Sequence, residues 1–179
     1  MRIAIHQPNF IPWFPFFYKM AMADIFIILC HVDFEKNNFQ NRYYLNDKKK
    51  WVTKSVRHGI EPIVNKKYTD EQYILDINMY WINTIRKTLG IKTEIVFDYP
   101  TELKKTDRLI DLIKHYNGSI YITCPNAKLK YLDEDLIKSN GIVIEYMHCP
   151  RDLQLHTFEA FEKFGIDGVI KRLPKKVKL

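Results

Sequence analysis

The chain has 179 residues, 46% hydrophobic and 14% aromatic, with no internal repeat or low-complexity stretch; this suits one globular domain over 1–179 and excludes a repeat or low-complexity polymer. Twenty-eight Lys and Arg against 21 Asp and Glu leave a formal net charge of +7, which admits phosphate-bearing partners; no apolar run reaches the roughly 18 residues that a membrane span needs. The three cysteines lack paired spacing and the N-terminus lacks a signal-peptide pattern, so a reducing, cytoplasmic setting is expected.

In chain order, short β-rich runs fall at 2–6, 24–30, 94–97, 119–123 and 142–147. An apolar helical pattern follows Pro15 and runs through Met22. A second has Ile74, Ile77, Trp81, Ile82, Ile85 and Leu89 on one face and ends at Gly90. Thr106-Asp107 opens a third, with Leu109, Leu112, Ile113 and Tyr116 before the Asn117-Gly118 stop. Asp133 to Ser139 is a fourth, and Phe158, Phe161 and Phe164 mark a fifth that ends at Gly165. Continuous apolar runs such as IFIIL and IVIEY predict an α/β fold with a mainly parallel central sheet flanked by helices. The segment at about 38–70 breaks the alternation and is expected to be a small antiparallel β insertion, including Pro62-Ile63-Val64. A basic tail occupies 171–179.

The first strand stops at His6-Gln7-Pro8-Asn9, and Pro8 and Pro12 stiffen the turn. A stiff polar turn between a strand and a helix N-terminus is where open α/β sheets bind ligands, and anions in particular. His6, Gln7 and Asn9 are therefore candidate ligand-binding residues, with Trp13 placed to stack on a base or a sugar. The second strand leads into Cys30-His31-Val32-Asp33-Phe34-Glu35-Lys36 at the same sheet edge. His31 with Asp33 or Glu35 forms a candidate acid/base set. Strand alternation predicts that Cys30 and His31 do not touch. Asn41-Arg42 adds a guanidinium suited to gripping phosphate in a bidentate fork.

Cys124, His148 and Cys149 have no metal-ligand spacing, so no metal is expected. Neither a dinucleotide fingerprint nor a P-loop is present, and no cofactor is indicated. Lys48-Lys49-Lys50, Lys66-Lys67 and the tail read as solvated lysine faces without an aromatic platform, which ranks nucleic acid behind a small phosphate-bearing substrate.

HQPNFIPWFPFF, ADIFIIL, and the later EK and QNR resemble the opening block of the WbqC-like protein family, which is associated with O-antigen and other surface-polysaccharide gene clusters. Gln7, Pro8, Phe10, Pro12, Trp13, Ala23, Asp24, Val32, Lys36, Asn41 and Arg42 carry the likeness. Lys50-Trp51-Val52-Thr53, the LGI at 89–91 and the 131–143 block fit later segments. The chain departs from the pattern where Cys30-His31 replaces an acidic pair, where Thr-Cys-Pro-Asn-Ala replaces a glycine-rich turn near 124, and where a tyrosine-rich middle region is shortened. The resemblance implies surface-polysaccharide biosynthesis: a transferase moving an acyl or aminoacyl group, for example glycyl, onto a nucleotide-linked amino sugar. Gln7, Asn9 and Arg42 would then hold the phosphate or donor, and His31 or a neighbouring carboxylate would take the proton. The alternative is a noncatalytic nucleotide-binding module or a nucleic-acid-binding or nucleic-acid-modifying protein.

Overall fold

A computed structural model describes residues 1–175. Of the basic tail, only 171–175 fall within them, and the remaining residues, 176–179, lie outside the described residues. Five parallel strands build the central sheet: β1 (Arg2–His6), β2 (Ile25–Ile28), β5 (Glu94–Phe97), β6 (Ile120–Thr123) and β7 (Val143–Tyr146), in the order β5-β2-β1-β6-β7. The chain first steps outward from β1 through α1 (Phe14–Met22) to β2, and through α2 (Ile74–Thr88) to β5. It then crosses back through α3 (Lys105–His115) to β6, on the other side of β1, and through α4 (Glu134–Ser139) to β7. Direction reverses between β1 and β6, the switch point at which doubly wound sheets form a crevice.

Side-chain alternation explains why the strands read as unbroken apolar runs. Ala4, Phe26, Ile28 and Ile122 join one buried cluster with Phe14, Phe17 and Met20 of α1 and Ile74, Ile82 and Ile85 of α2. Their strand neighbours Ile3, Ile5, Ile25, Ile27 and Tyr121 join the other, with Leu109, Leu112 and Ile113 of α3 and Ile137 of α4. Each fully buried side chain of this size contributes roughly 1.5–3 kcal/mol. The sheet leaves no room at the turn into β6, where a Cβ on Gly118 would lie 2.3 Å from Ile3 Cγ1.

The insertion is smaller than the sequence suggests. Its only named strands are β3 (Arg42–Leu45) and β4 (Lys50–Thr53), an antiparallel hairpin, whereas Ile63–Asn65 is a 3-10 turn and not a strand. The proline before that turn and the Lys66 N–H returning to the Ile63 carbonyl favour the tight turn over a ladder. The hairpin tip docks on α5 (Thr157–Ile170): Glu159 accepts from the Asn46 amide at 3.0 Å and from the Asp47 N–H at 2.9 Å. Glu159 also closes the capping box with His156 at the start of α5. As expected, the first helical stretch of α5 ends at Gly165, whose φ 68° and ψ 162° are non-helical, and a second short stretch carries the element on to Ile170.

The same helix N-terminus clamps the first turn. Thr157 Oγ1 donates to the Pro12 carbonyl at 2.6 Å, the Phe14 N–H donates to the Leu155 carbonyl at 2.9 Å, and the His156 ring stacks on Tyr43 at 4.3 Å. Within this turn Ile11 is held at φ 43°, a conformation that β-branched residues rarely adopt and that the surrounding contacts must enforce.

Candidate functional site

A cleft of about 920 Å³ lies along the carboxyl edge of the sheet. Every strand of the sheet delivers residues to it: His6 and Gln7 after β1, Leu29 and His31 after β2, Thr101 to Arg108 after β5, Cys124 after β6, and Met147 after β7. Asp33, Glu35 and Asn38 line the insertion side, and Trp13, Pro15, Phe16 and Lys19 bring in α1. The turn at 6–13 and the segment at 31–38 therefore share one cleft. A smaller recess of about 220 Å³ adjoins it, lined by Asn9, Phe10, Trp13, Phe39, Tyr43, Trp51 and His156 among others; Trp13 belongs to both.

Behind the cleft wall, buried under His31 and Arg108, lies a residue that sequence reasoning did not single out. Asp98, just past β5, is 4% exposed and collects donors from two segments. Its Oδ1 accepts from the Cys30 N–H at 2.8 Å, the His31 N–H at 3.1 Å and the His31 Nδ1 at 3.0 Å, and Arg108 donates to its Oδ2. Burial alone would raise the carboxyl pKa, but the hydrogen bonds from His31, Cys30 and Arg108 outweigh it and hold the group below its ordinary value. Asp98 is thus a carboxylate that fixes His31 with Nδ1 as the donor and leaves Nε2 as the basic nitrogen.

Two expectations are corrected here. The imidazole's carboxylate partner is Asp98, not Asp33 or Glu35; Glu35 instead accepts from the Asn38 amide at 2.5 Å. Cys30 and His31 do come together, with Sγ 3.7 Å from Nδ1, because β2 ends at Ile28 and strand alternation no longer applies. Burial, then the Asp98 charge, push the Cys30 thiol up to about 12, which holds it protonated.

Cys30, His31 and Asp98 also have ligand atoms within 4.8 Å of one another. The donor set does not fit a metal seat: Oδ1 is already shared by two backbone N–H groups and the imidazole, Arg108 neutralises the carboxylate, and the thiol is protonated.

The remaining candidates separate. His6 lines the cleft; its Nδ1 lies 2.9 Å from the Gln7 carbonyl and its ring meets Phe16 edge-on. Burial and the nearby Lys19 ammonium push its pKa down to about 3, so it is neutral. Gln7 lines the cleft and accepts from the buried Gln40 amide at 2.9 Å. Asn9 faces the small recess. Asn41 donates to the Lys54 carbonyl at 2.8 Å and belongs to the hairpin. Arg42 lines neither space: its guanidinium donates to the Asn37 carbonyl and lies 4.0 Å over the Trp51 ring. The cleft cations are Lys19, Lys104, Lys105, Arg108 and Lys130, and Asp33 and Glu35 line the same cleft.

Sequence reasoning passed over three of these groups. Asp98 stands directly after an identified strand, a signal that was available; Lys19 interrupts an apolar helical run, a weaker one. Asn78, within the apolar face of α2 and 0% exposed, was hidden by that pattern. Its amide donates at 2.8 Å to both the Pro8 and Gln40 carbonyls and its oxygen accepts from the Tyr68 hydroxyl at 3.1 Å, tying the two cleft segments together. Replacing Asn78 by leucine is expected to cost about 2–4 kcal/mol, because buried carbonyls lose their donor. A denaturant titration checks it, and a loss below roughly 1 kcal/mol would show that Tyr68 alone holds the junction.

The reversal of strand order and the crevice at the carboxyl edge define a doubly wound α/β protein with a polar-lined cleft at its switch point. The chain belongs to the WbqC-like protein family, whose sequence pattern matches residues 7–59 and 53–164. It is also similar to an uncharacterized protein of Mycobacterium tuberculosis (Rv1507c), 26% identical over 192 aligned positions that cover 81% of each chain. No solved structure matches the chain significantly. Among the described residues no helix is long and apolar enough to cross a membrane.

Proposed function

We propose that the protein is a transferase of surface-polysaccharide biosynthesis that moves an acyl or aminoacyl group onto the amine of a nucleotide-linked sugar. The observation that carries this reading is His31, held by the buried Asp98, lining a cleft that Lys104, Lys105, Arg108 and Lys130 also line. A lysine and arginine wall suits a diphosphate. An oriented imidazole suits removal of a proton from a reacting amine. The amine nitrogen forms a bond to the acyl carbon, the bond from that carbon to the donor's leaving group breaks, and His31 Nε2 takes the proton released from nitrogen. Arg108 keeps the Asp98 carboxylate charged, which stabilises the imidazolium formed in that step. Gln7 and Trp13 position the substrate from the β1 side, and Asp33 and Glu35 attract the amine end. Arg42, placed at the hairpin, supports Trp51 and so the small recess, and the phosphate role moves to the lysine wall.

The test pairs binding with turnover. A uridine-diphosphate amino sugar is expected to raise Tm and to be acylated by an activated glycyl or acetyl donor, while the same sugar nucleotide with a hydroxyl in place of the amine binds without turnover. The nucleic-acid reading is favoured instead if a random oligonucleotide binds tightly at physiological salt and competes with the sugar nucleotide. A surface-charge interaction weakens steeply between about 50 and 200 mM salt.

A further inference from the structure

The sheet opens between β1 and β6. On that side pairing runs from Arg2↔Ile120 to Ala4↔Ile122 and stops, whereas β1 stays paired with β2 as far as His6↔Ile28. Carbonyls alternate sides along a strand. The His6 carbonyl accepts from the Leu29 N–H on the β2 side, so the Ile5 carbonyl faces the opening towards β6. Lys19 fills that position. Its Nζ donates to the Ile5 carbonyl at 2.8 Å, its side chain lines the cleft beside His6, Tyr121 and Cys124, and the residue is only 5% exposed.

Among the described residues no carboxylate lies within ion-pair distance of this ammonium. A buried ammonium with one neutral acceptor is a destabilising arrangement, and burial pushes the pKa of Lys19 down to about 8. An uncharged side chain of similar length would satisfy the core better.

We infer that Lys19 is the anchor for the ligand's phosphate group, seated in the β1/β6 crevice of the cleft. This rests on the reading of the cleft as a phosphate-ligand site and deepens it: one helix layer supplies Lys19 through α1, the other supplies Lys104, Lys105 and Arg108 at the start of α3, and the anion lies between them. Lys19 stands in the sequence as a charge inside an apolar helix because its counterion arrives with the ligand.

Calorimetry with inorganic pyrophosphate and with uridine diphosphate tests the assignment, on wild type and on Lys19→Gln, which keeps a donor for the Ile5 carbonyl but carries no charge. The variant is expected to bind both probes about 10–100-fold more weakly, the range for a lost charge-assisted hydrogen bond, with a Tm no lower than that of wild type. Equal affinities overturn the anchor while leaving the phosphate cleft standing; wild type that binds neither probe overturns the cleft reading and the anchor together. Should Lys19→Gln fail to fold, trace acetylation of the wild type decides. Pyrophosphate is expected to slow acetylation of Lys19 and leave Lys138, an exposed α4 residue paired with Glu134, unchanged. An unchanged rate at Lys19 overturns the anchor.

Discussion

Asp98→Asn is expected to lower the stability of the fold by about 3–5 kcal/mol, the cost of leaving a buried cation without its partner. Arg108 is only 8% exposed at its side chain and its other acceptor is the Tyr99 carbonyl at 3.2 Å, so the guanidinium cannot turn to water without disturbing the start of α3. At roughly 2–4 °C per kcal/mol for a chain of this size, Tm should fall by about 6–20 °C. A calorimetric melt measures it. A drop of less than about 2 °C would mean that the Tyr99 carbonyl suffices for Arg108 and that Asp98 serves only the imidazole.

Acid should remove the same interactions. The folded Asp98 carboxyl lies below its ordinary value, so its contribution is complete above the unfolded pKa of about 3.9 and is lost as pH falls through the folded one. His6 acts over a wider range: the unfolded ring takes a proton near pH 6.5, while the folded ring resists protonation down to about 3, so stability declines steadily as pH falls between those values. The protein should therefore weaken well before the carboxylates titrate.

His31→Gln should separate chemistry from stability. The side chain is 25% exposed and hangs at the cleft rim, and glutamine can still donate to Asp98, so Tm should change little. Turnover of the amino-sugar nucleotide should drop by about 10²–10⁴-fold, the usual contribution of a positioned general base, with the affinity for uridine diphosphate unaltered. A variant that retains more than about half of the wild-type rate would remove His31 from the reaction and pass the proton-accepting role to another group.

The parallel sheet and its helices were legible in the sequence because local periodicity encodes them. Strands buried on both faces read as unbroken apolar runs, as Ile25–Ile28 does, and the α2 stripe shows its helical spacing directly. The turn at His6 to Trp13 was legible for a related reason: prolines and polar residues between a strand and a helix mark a stiff loop wherever the rest of the chain goes. Partners distant in sequence were not. His31 and Asp98 lie 67 residues apart and Asn78 and Pro8 lie 70 apart, and only the packing of β2 against β5 and of α2 over the first turn brings them together. The placement of Arg42 was decided in the same way, by the stacking partner that the β3–β4 register put beneath it. The residue types and the strand ends were set by the chain's own pattern, whereas which carboxylate holds the imidazole, and which cations face the cleft, depended on the strand order that positions one edge residue against another.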